Sequence, residues 1–250
     1  EKGWLDLAYV FVIDEPTVLN FPQVKESLGF VKEVAPGLRT QLTLGYGATE
    51  WRPGEEGRPA YEDLVGYVDI WVPHIDCFHP EFFEERKAAG EEVWLYVCIG
   101  ARHPYPNIWA IDYPGVEHRV LFWMLWKYGI QGFLYWAVNC WKVDVWKDPM
   151  SYPGGNGDGS LLYPGPEGPV PSLRWELVRE GIEDYEYLYL LHKALGRKGL
   201  DPKLKARGER LLDVREICSS FTEYTRDPEV LEARRLEIGE LLERLYGRGR

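Results

Sequence analysis

The chain has 250 residues, 45% of them apolar and 28% charged, enough for one large core or a domain with an appendage. A net charge of −11, with no basic stripe interleaved with aromatics, argues against nucleic acid as a partner, and no apolar run reaches the roughly 20 residues of a membrane span, so no membrane partner is expected. The four cysteines, Cys77, Cys98, Cys140 and Cys218, lack CxxC or Cys/His ligand spacing and are expected as buried thiols, with no metal and no disulfide framework.

Residues 8–13 read as a β-branched and aromatic strand that runs into Asp14 and Glu15 and is stopped by Pro16. A strand alternates its side chains between two faces, so adjacent acids can address one ligand only where the strand frays into a loop. Two readings follow: a solvated strand end with a helix N-cap, or the carboxylate pair that cleavage of a glycosidic bond requires. Residues 17–35 carry helical spacing at Val24, Leu28, Val31 and Val34 and end at Pro36-Gly37. Strands are expected at 39–44, 67–72, 92–99 and 132–137, with helices at 80–89 and 116–128, each closed by a glycine. Such alternation implies parallel strands joined by crossover helices. The strand ends offer Tyr46, His74, Asp76, Trp136, Asn139 and Trp141. The two indoles suit the apolar face of a sugar, and the other four suit hydrogen bonds to its polar groups. Tyr96 falls mid-strand and reads as core.

A long loop, 139–171, carries six glycines among prolines and aromatics, and loops of this length are usually functional. Within it Asp158 and Tyr163 are placed to fold over a pocket mouth, although Gly157-Asp158-Gly159 is equally a turn signature and lacks the further carboxylates of a calcium loop. Ser172 caps a helix expected through 191, where Arg174, Arg179 and Glu180 read as a surface face with i,i+4 pairs such as Arg179 with Glu183. Two more helices open at Asp201-Pro202 and Asp227-Pro228 and form a helical hairpin. Domains are therefore drawn at 1–195 and 196–250. The eleven tryptophans and sixteen tyrosines fit either sugar stacking or the packing of a large α/β core.

Five stretches in order, Tyr9-Val-Phe-Val-Ile-Asp-Glu-Pro16, Asp69-Ile-Trp-Val-Pro73, Trp123-Met-Leu-Trp-Lys-Tyr-Gly-Ile130 with Gly132-Phe-Leu-Tyr-Trp136, Gly157-Asp-Gly159 with Tyr163-Pro-Gly165, and the run from Pro171 to Tyr187, resemble the catalytic region of glycoside hydrolase family 123, the β-N-acetylgalactosaminidases, and a related domain family of unknown function. The resemblance implies a (β/α)8 barrel, TIM-barrel-like, of which this chain supplies strands four to eight and the C-terminal helices. It further implies a cofactor-free carbohydrate hydrolase acting on terminal 2-acetamido-2-deoxy-β-hexosides, with N-acetylgalactosamine favoured. In that family the substrate's own acetamido oxygen attacks the anomeric carbon. Matched onto this chain, Glu15 becomes the general acid and base, and Asp14 holds the acetamido N–H. Two rivals stay open: an ordinary two-carboxylate glycosidase with Asp76 as second carboxylate, and a non-catalytic saccharide-binding domain. The chain begins at Glu1 rather than methionine, so an upstream segment carrying the first three strands is expected. The sequence assigns neither compartment nor oligomeric state.

Overall fold

The computed structural model describes residues 3–49, 59–150 and 152–247. They fall into two compact units: the chain up to Val97 together with Ile130–Leu134, and Cys98–Gly129 together with everything from Tyr135 onward.

The first unit is built on β1 (Tyr9–Phe11), β2 (Arg39–Leu44), β3 (Ile70–Pro73), β4 (Glu92–Val97) and all but the last residue of β5 (Gly132–Tyr135), neighbours in that order in one curled, half-barrel parallel sheet. Register is parallel from Tyr9 opposite Arg39, through Gln41 opposite Ile70, to Ile70 opposite Glu92. The crossovers are α1 (Phe21–Val34), between β1 and β2, and α2 (Pro80–Ala88), between β3 and β4. Residues 40–44 of β2 and all of β3 are buried, as parallel strands covered on both faces must be. Leu42, Leu44 and Trp71 pack with Val24 and Leu28 of α1 and Phe83 of α2 in a single apolar cluster. The sequence expectation of an α/β alternation is met here.

Its boundaries shift for local reasons. β1 is three residues rather than six because it borders β2 alone, and its pairing ends at Phe11 opposite Gln41. Helix α1 starts at Phe21, not Thr17, because Thr17 and Asn20 close a capping box around a 3-10 turn at Val18–Asn20. β4 stops at Val97, which brings Tyr96 to the strand's C-terminal end instead of its middle.

The second unit is helical: α3 (Gly115–Lys127), α4 (Leu173–Leu195), α5 (Pro202–Leu212) and α6 (Pro228–Tyr246). Helix α3 packs along α4, and α5 and α6 both pack on α4. The expected N-caps are present. Ser172 accepts from the Trp175 N–H, Asp201 from Lys203 and Leu204, and Asp227 from Glu229. At the centre, buried Asp184 of α4 takes Arg119 Nε at 2.9 Å, Arg119 Nη2 at 3.0 Å and Trp123 Nε1 at 3.1 Å, all from α3, while Arg235 of α6 reaches it at 3.3 Å.

Three expectations need correction. Arg174 is not a surface residue: its buried guanidinium donates to the carbonyls of Trp109, Gly157 and Ser160, so it pins the Gly-rich segment rather than joining the exposed Arg179 and Glu183 pair. That segment is not all loop, since β6 (Leu162–Pro164) and β7 (Pro169–Pro171) form an antiparallel hairpin within it. Of the cysteines, Cys77 and Cys218 are buried, whereas Cys98 and Cys140 are only half-buried; all four are free thiols. Among the described residues no helix is long and apolar enough to cross a membrane.

His118 of α3 is 1% exposed, and neither ring nitrogen meets a hydrogen-bonding partner among the described residues. Burial first, and the positive charge of Arg174 second, push its pKa down to about 4 from an ordinary 6.5, against the nearby backbone of Pro114, Ile108 and Gly115. The native state therefore binds fewer protons than the unfolded chain between those values, and stability falls as pH drops through that window. The loss amounts to about 3 kcal/mol at roughly 1.4 kcal/mol per pKa unit. His118→Leu should flatten this dependence: urea midpoints at pH 7 and pH 4 should lie closer together in the variant than in the wild type.

Candidate active site

Asp14 and Glu15 are solvent-exposed at the C-terminal end of β1, while the following Pro16 is buried and anchors the exit. The penultimate residue of β2 holds them together. Thr43 donates its hydroxyl proton to Asp14 Oδ1 at 2.8 Å and accepts the Glu15 N–H at 2.9 Å. Glu15 sits at φ +42°, the only non-glycine in the left-handed region among the described residues. That turn of the backbone is how two sequence neighbours escape the alternation of a strand, at a cost of roughly 1 kcal/mol or more in strain.

The Glu15 side chain then meets the end of β4 and, beyond Thr43, the end of β2. Tyr96 of β4 donates its hydroxyl to Glu15 Oε1. Gly45, directly after β2, leaves room on the other side: a Cβ there would come within 2.9 Å of Oε2. Among the described residues neither Glu15 Oε2 nor Asp14 Oδ2 has a hydrogen-bond partner. Each acid thus has one anchored oxygen and one open oxygen.

Beside Tyr96 lies His74, one residue past β3 and 2% exposed, with its ring 4.9 Å from the Tyr96 ring and its backbone N–H on the Leu44 carbonyl. His74 Nδ1 bonds Asp76 Oδ1, and the Tyr46 hydroxyl takes Asp76 Oδ2. Burial works to raise the Asp76 pKa, but the bonds from His74 and Tyr46 outweigh it and hold the carboxyl below its usual range. An ionised Asp76 makes His74 Nδ1 the donor. The donor atoms of His74, Asp76 and Cys77 lie within 4.8 Å of one another, the one such trio among the described residues. Burial pushes the Cys77 thiol up and keeps it protonated, and both Asp76 oxygens are already bonded, so the donors form a hydrogen-bonded cluster and not an open ligand set.

The first unit therefore brings together Asp14, Glu15, Tyr46, His74 and Asp76. The second unit holds the other expected residues. Trp136, 41% exposed, donates its indole N–H to Asp158 Oδ1 at 3.0 Å, and the Tyr135 hydroxyl reaches the same oxygen at 2.6 Å. Asp158 is buried, so its carboxylate is spent on holding those rings. Exposed Trp141 donates to the Leu162 carbonyl at 2.8 Å, and exposed Asn139 bridges Ser160. Tyr163 packs against Trp146, whose own indole N–H is fixed on the Pro164 carbonyl at 2.7 Å.

Sequence reading did not find Thr43, Gly45 or Tyr96. The signal for the first two was Thr43-Leu-Gly45 closing a strand. For Tyr96 it was a polar-tipped ring one residue from a strand end, hidden by placing that end at 99.

An acid pair at the C-terminal rim of a parallel, curled sheet stands where α/β barrels hold their functional residues. The family model for the glycoside hydrolase 123 catalytic domain matches residues 1–191, and the chain belongs to that family. No curated protein matches it. Among solved structures it is similar to a family 123 glycoside hydrolase from Clostridium perfringens, described in terms of glycolipid glycan hydrolysis, with a TM-score of 0.58 and 19% identity over 98% of this chain and 42% of that one. At that identity the likeness speaks for the fold alone, and the chain spans 42% of its neighbour's length.

Glu15→Gly and Glu15→Ala both lose the Tyr96 bond, but only glycine relieves the left-handed strain, so Glu15→Gly should be the more stable of the two by about 1 kcal/mol despite the entropy of glycine. Denaturant titration of the two variants checks this; equal stabilities would show the turn to be unstrained.

Proposed function

We propose that the chain carries the catalytic rim of a substrate-assisted β-N-acetylhexosaminidase acting on terminal N-acetylgalactosamine, its five strands forming part of an eight-stranded barrel. The observation that carries this reading is the exposed Asp14 and Glu15 pair, each acid anchored through one oxygen and open through the other. In the first step Glu15 gives its proton to the glycosidic oxygen as the acetamido oxygen bonds to the anomeric carbon, and the aglycone leaves as an alcohol. Asp14 accepts the acetamido N–H and offsets the positive charge of the oxazolinium. In the second step ionised Glu15 takes a proton from water, the hydroxide adds to the anomeric carbon, and the ring opens to restore the acetamido group. Two inversions leave the β-configuration unchanged.

Asp76 is a poor candidate for an enzymic nucleophile, since its side chain is only 7% exposed and both its oxygens are bonded, to His74 and Tyr46. That supports a nucleophile supplied by the substrate. The Tyr46 ring is 58% exposed beside this rim, with its hydroxyl held on Asp76, which His74 holds in turn. Within the second unit, Trp136 and Trp141 present exposed indole faces of the kind that stack on a saccharide, Asp158 holds the Trp136 indole, and Asn139 is exposed. The glycan substrate of the Clostridium relative agrees with this class.

The test uses the full-length enzyme. Glu15→Gln should lose about 10²–10⁴-fold on a poor leaving group and much less on an activated aryl one, because the latter departs with little protonation. Asp14→Asn should slow both. Aryl β-N-acetylgalactosaminide should be turned over and aryl β-galactoside not, with a thiazoline mimic of the cyclised intermediate inhibiting. Equal turnover of the two sugars without thiazoline inhibition would return the role of nucleophile to a protein carboxylate.

A further inference from the structure

Glu15 has two chemically equivalent oxygens in two unlike places. Oε1 receives the Tyr96 hydroxyl, whereas Oε2 lies where the missing side chain of Gly45 leaves space. Tyr96 has no freedom to follow a moving carboxylate. It is 3% exposed, its backbone bridges His74, and its ring lies against the His74 ring, which Asp76 and then Tyr46 hold in turn. The result is a braced series from exposed Tyr46 through Asp76, His74 and Tyr96 to one oxygen of Glu15.

We propose that Tyr96 is a positioning residue that divides the labour of Glu15: Oε1 stays on the phenol through both steps, and Oε2 alone gives the proton to the leaving group and takes it back from water. This rests on the reading of Glu15 as general acid and base. The phenol keeps its own proton throughout, so the proton lost from Oε2 in the first step is the one replaced from water in the second. A hydroxyl donor strengthens its bond as the acceptor gains charge, so Tyr96 favours the ionised carboxylate that the first step produces and the second step needs.

The experiment is kinetic, on the full-length enzyme with an aryl β-N-acetylgalactosaminide of poor leaving ability. Tyr96→Phe keeps the ring and removes the donor. It should lower kcat roughly tenfold with KM changed less than about twofold, and move the alkaline limb of the kcat profile up by about one pH unit, because a carboxylate without its donor holds its proton longer. Gly45→Ala should also lower kcat by obstructing Oε2, but leave the limb in place, since the donor remains; Gly45 has φ −99°, a conformation alanine accepts. Incorporating 3-fluorotyrosine at position 96, a stronger donor of nearly the same size, should shift the limb down, and serves if Tyr96→Phe fails to fold. A wild-type limb in Tyr96→Phe, or limbs moving the same way in the phenylalanine and fluorotyrosine proteins, would overturn the assignment. Glu15→Gln separates the two failures: its loss of turnover alongside an unmoved limb in Tyr96→Phe overturns only the role of Tyr96, whereas full activity in Glu15→Gln overturns the acid and base reading and this inference with it.

Discussion

One hydroxyl organises the rim. Thr43 faces two ways at once, giving a proton to Asp14 and taking the amide proton of Glu15, and it can do so only because β1 and β2 run parallel in fixed register. A slip of one residue in that pairing would turn Thr43 to the opposite face of the sheet. The left-handed turn at Glu15 would then lose the bond that holds it. Everything further along, from Tyr96 on Glu15 Oε1 to the room that Gly45 leaves, presupposes a Glu15 already turned by that bond.

The division between what the sequence discloses and what it hides follows the range of the interactions. Local chemistry was legible. Asp201, Asp227 and Ser172 cap the helices their spacing predicts, and the apolar runs of β2 and β3 appear as buried parallel strands. The acid pair itself was visible from Pro16 and the strand before it. Relations across strands were not, because Thr43, Gly45 and Tyr96 lie 28, 30 and 81 positions from Glu15, and nothing local marks such partners. Arg174 shows the same limit: on its own helix it looks like one more surface cation, and only the fold reveals three carbonyls converging on it.

Buried polar side chains set the form of the second unit's irregular segments. Glu117, fully buried, accepts from His103 at 2.8 Å and from Tyr224 at 3.0 Å, tying together stretches more than a hundred residues apart. Asp158 and Arg174 do the same for the glycine-rich stretch. Each of these groups is costly to bury and costlier to leave unpaired, so the segments they bind have few alternative arrangements. A stretch that is loop by composition is thereby given a defined course.

The indoles show what that definition does to exposed rings. Trp136, Trp141 and Trp146 each have the single polar atom of the ring satisfied inside the protein, on Asp158, Leu162 and Pro164. Their rotational freedom is lost when the chain folds, not when a ligand arrives, so a stacking ligand meets surfaces that are already ordered. With no donor left to offer, these rings can present to a ligand of the proposed class only an apolar face, which would discriminate by shape and hydration and not by hydrogen bonds.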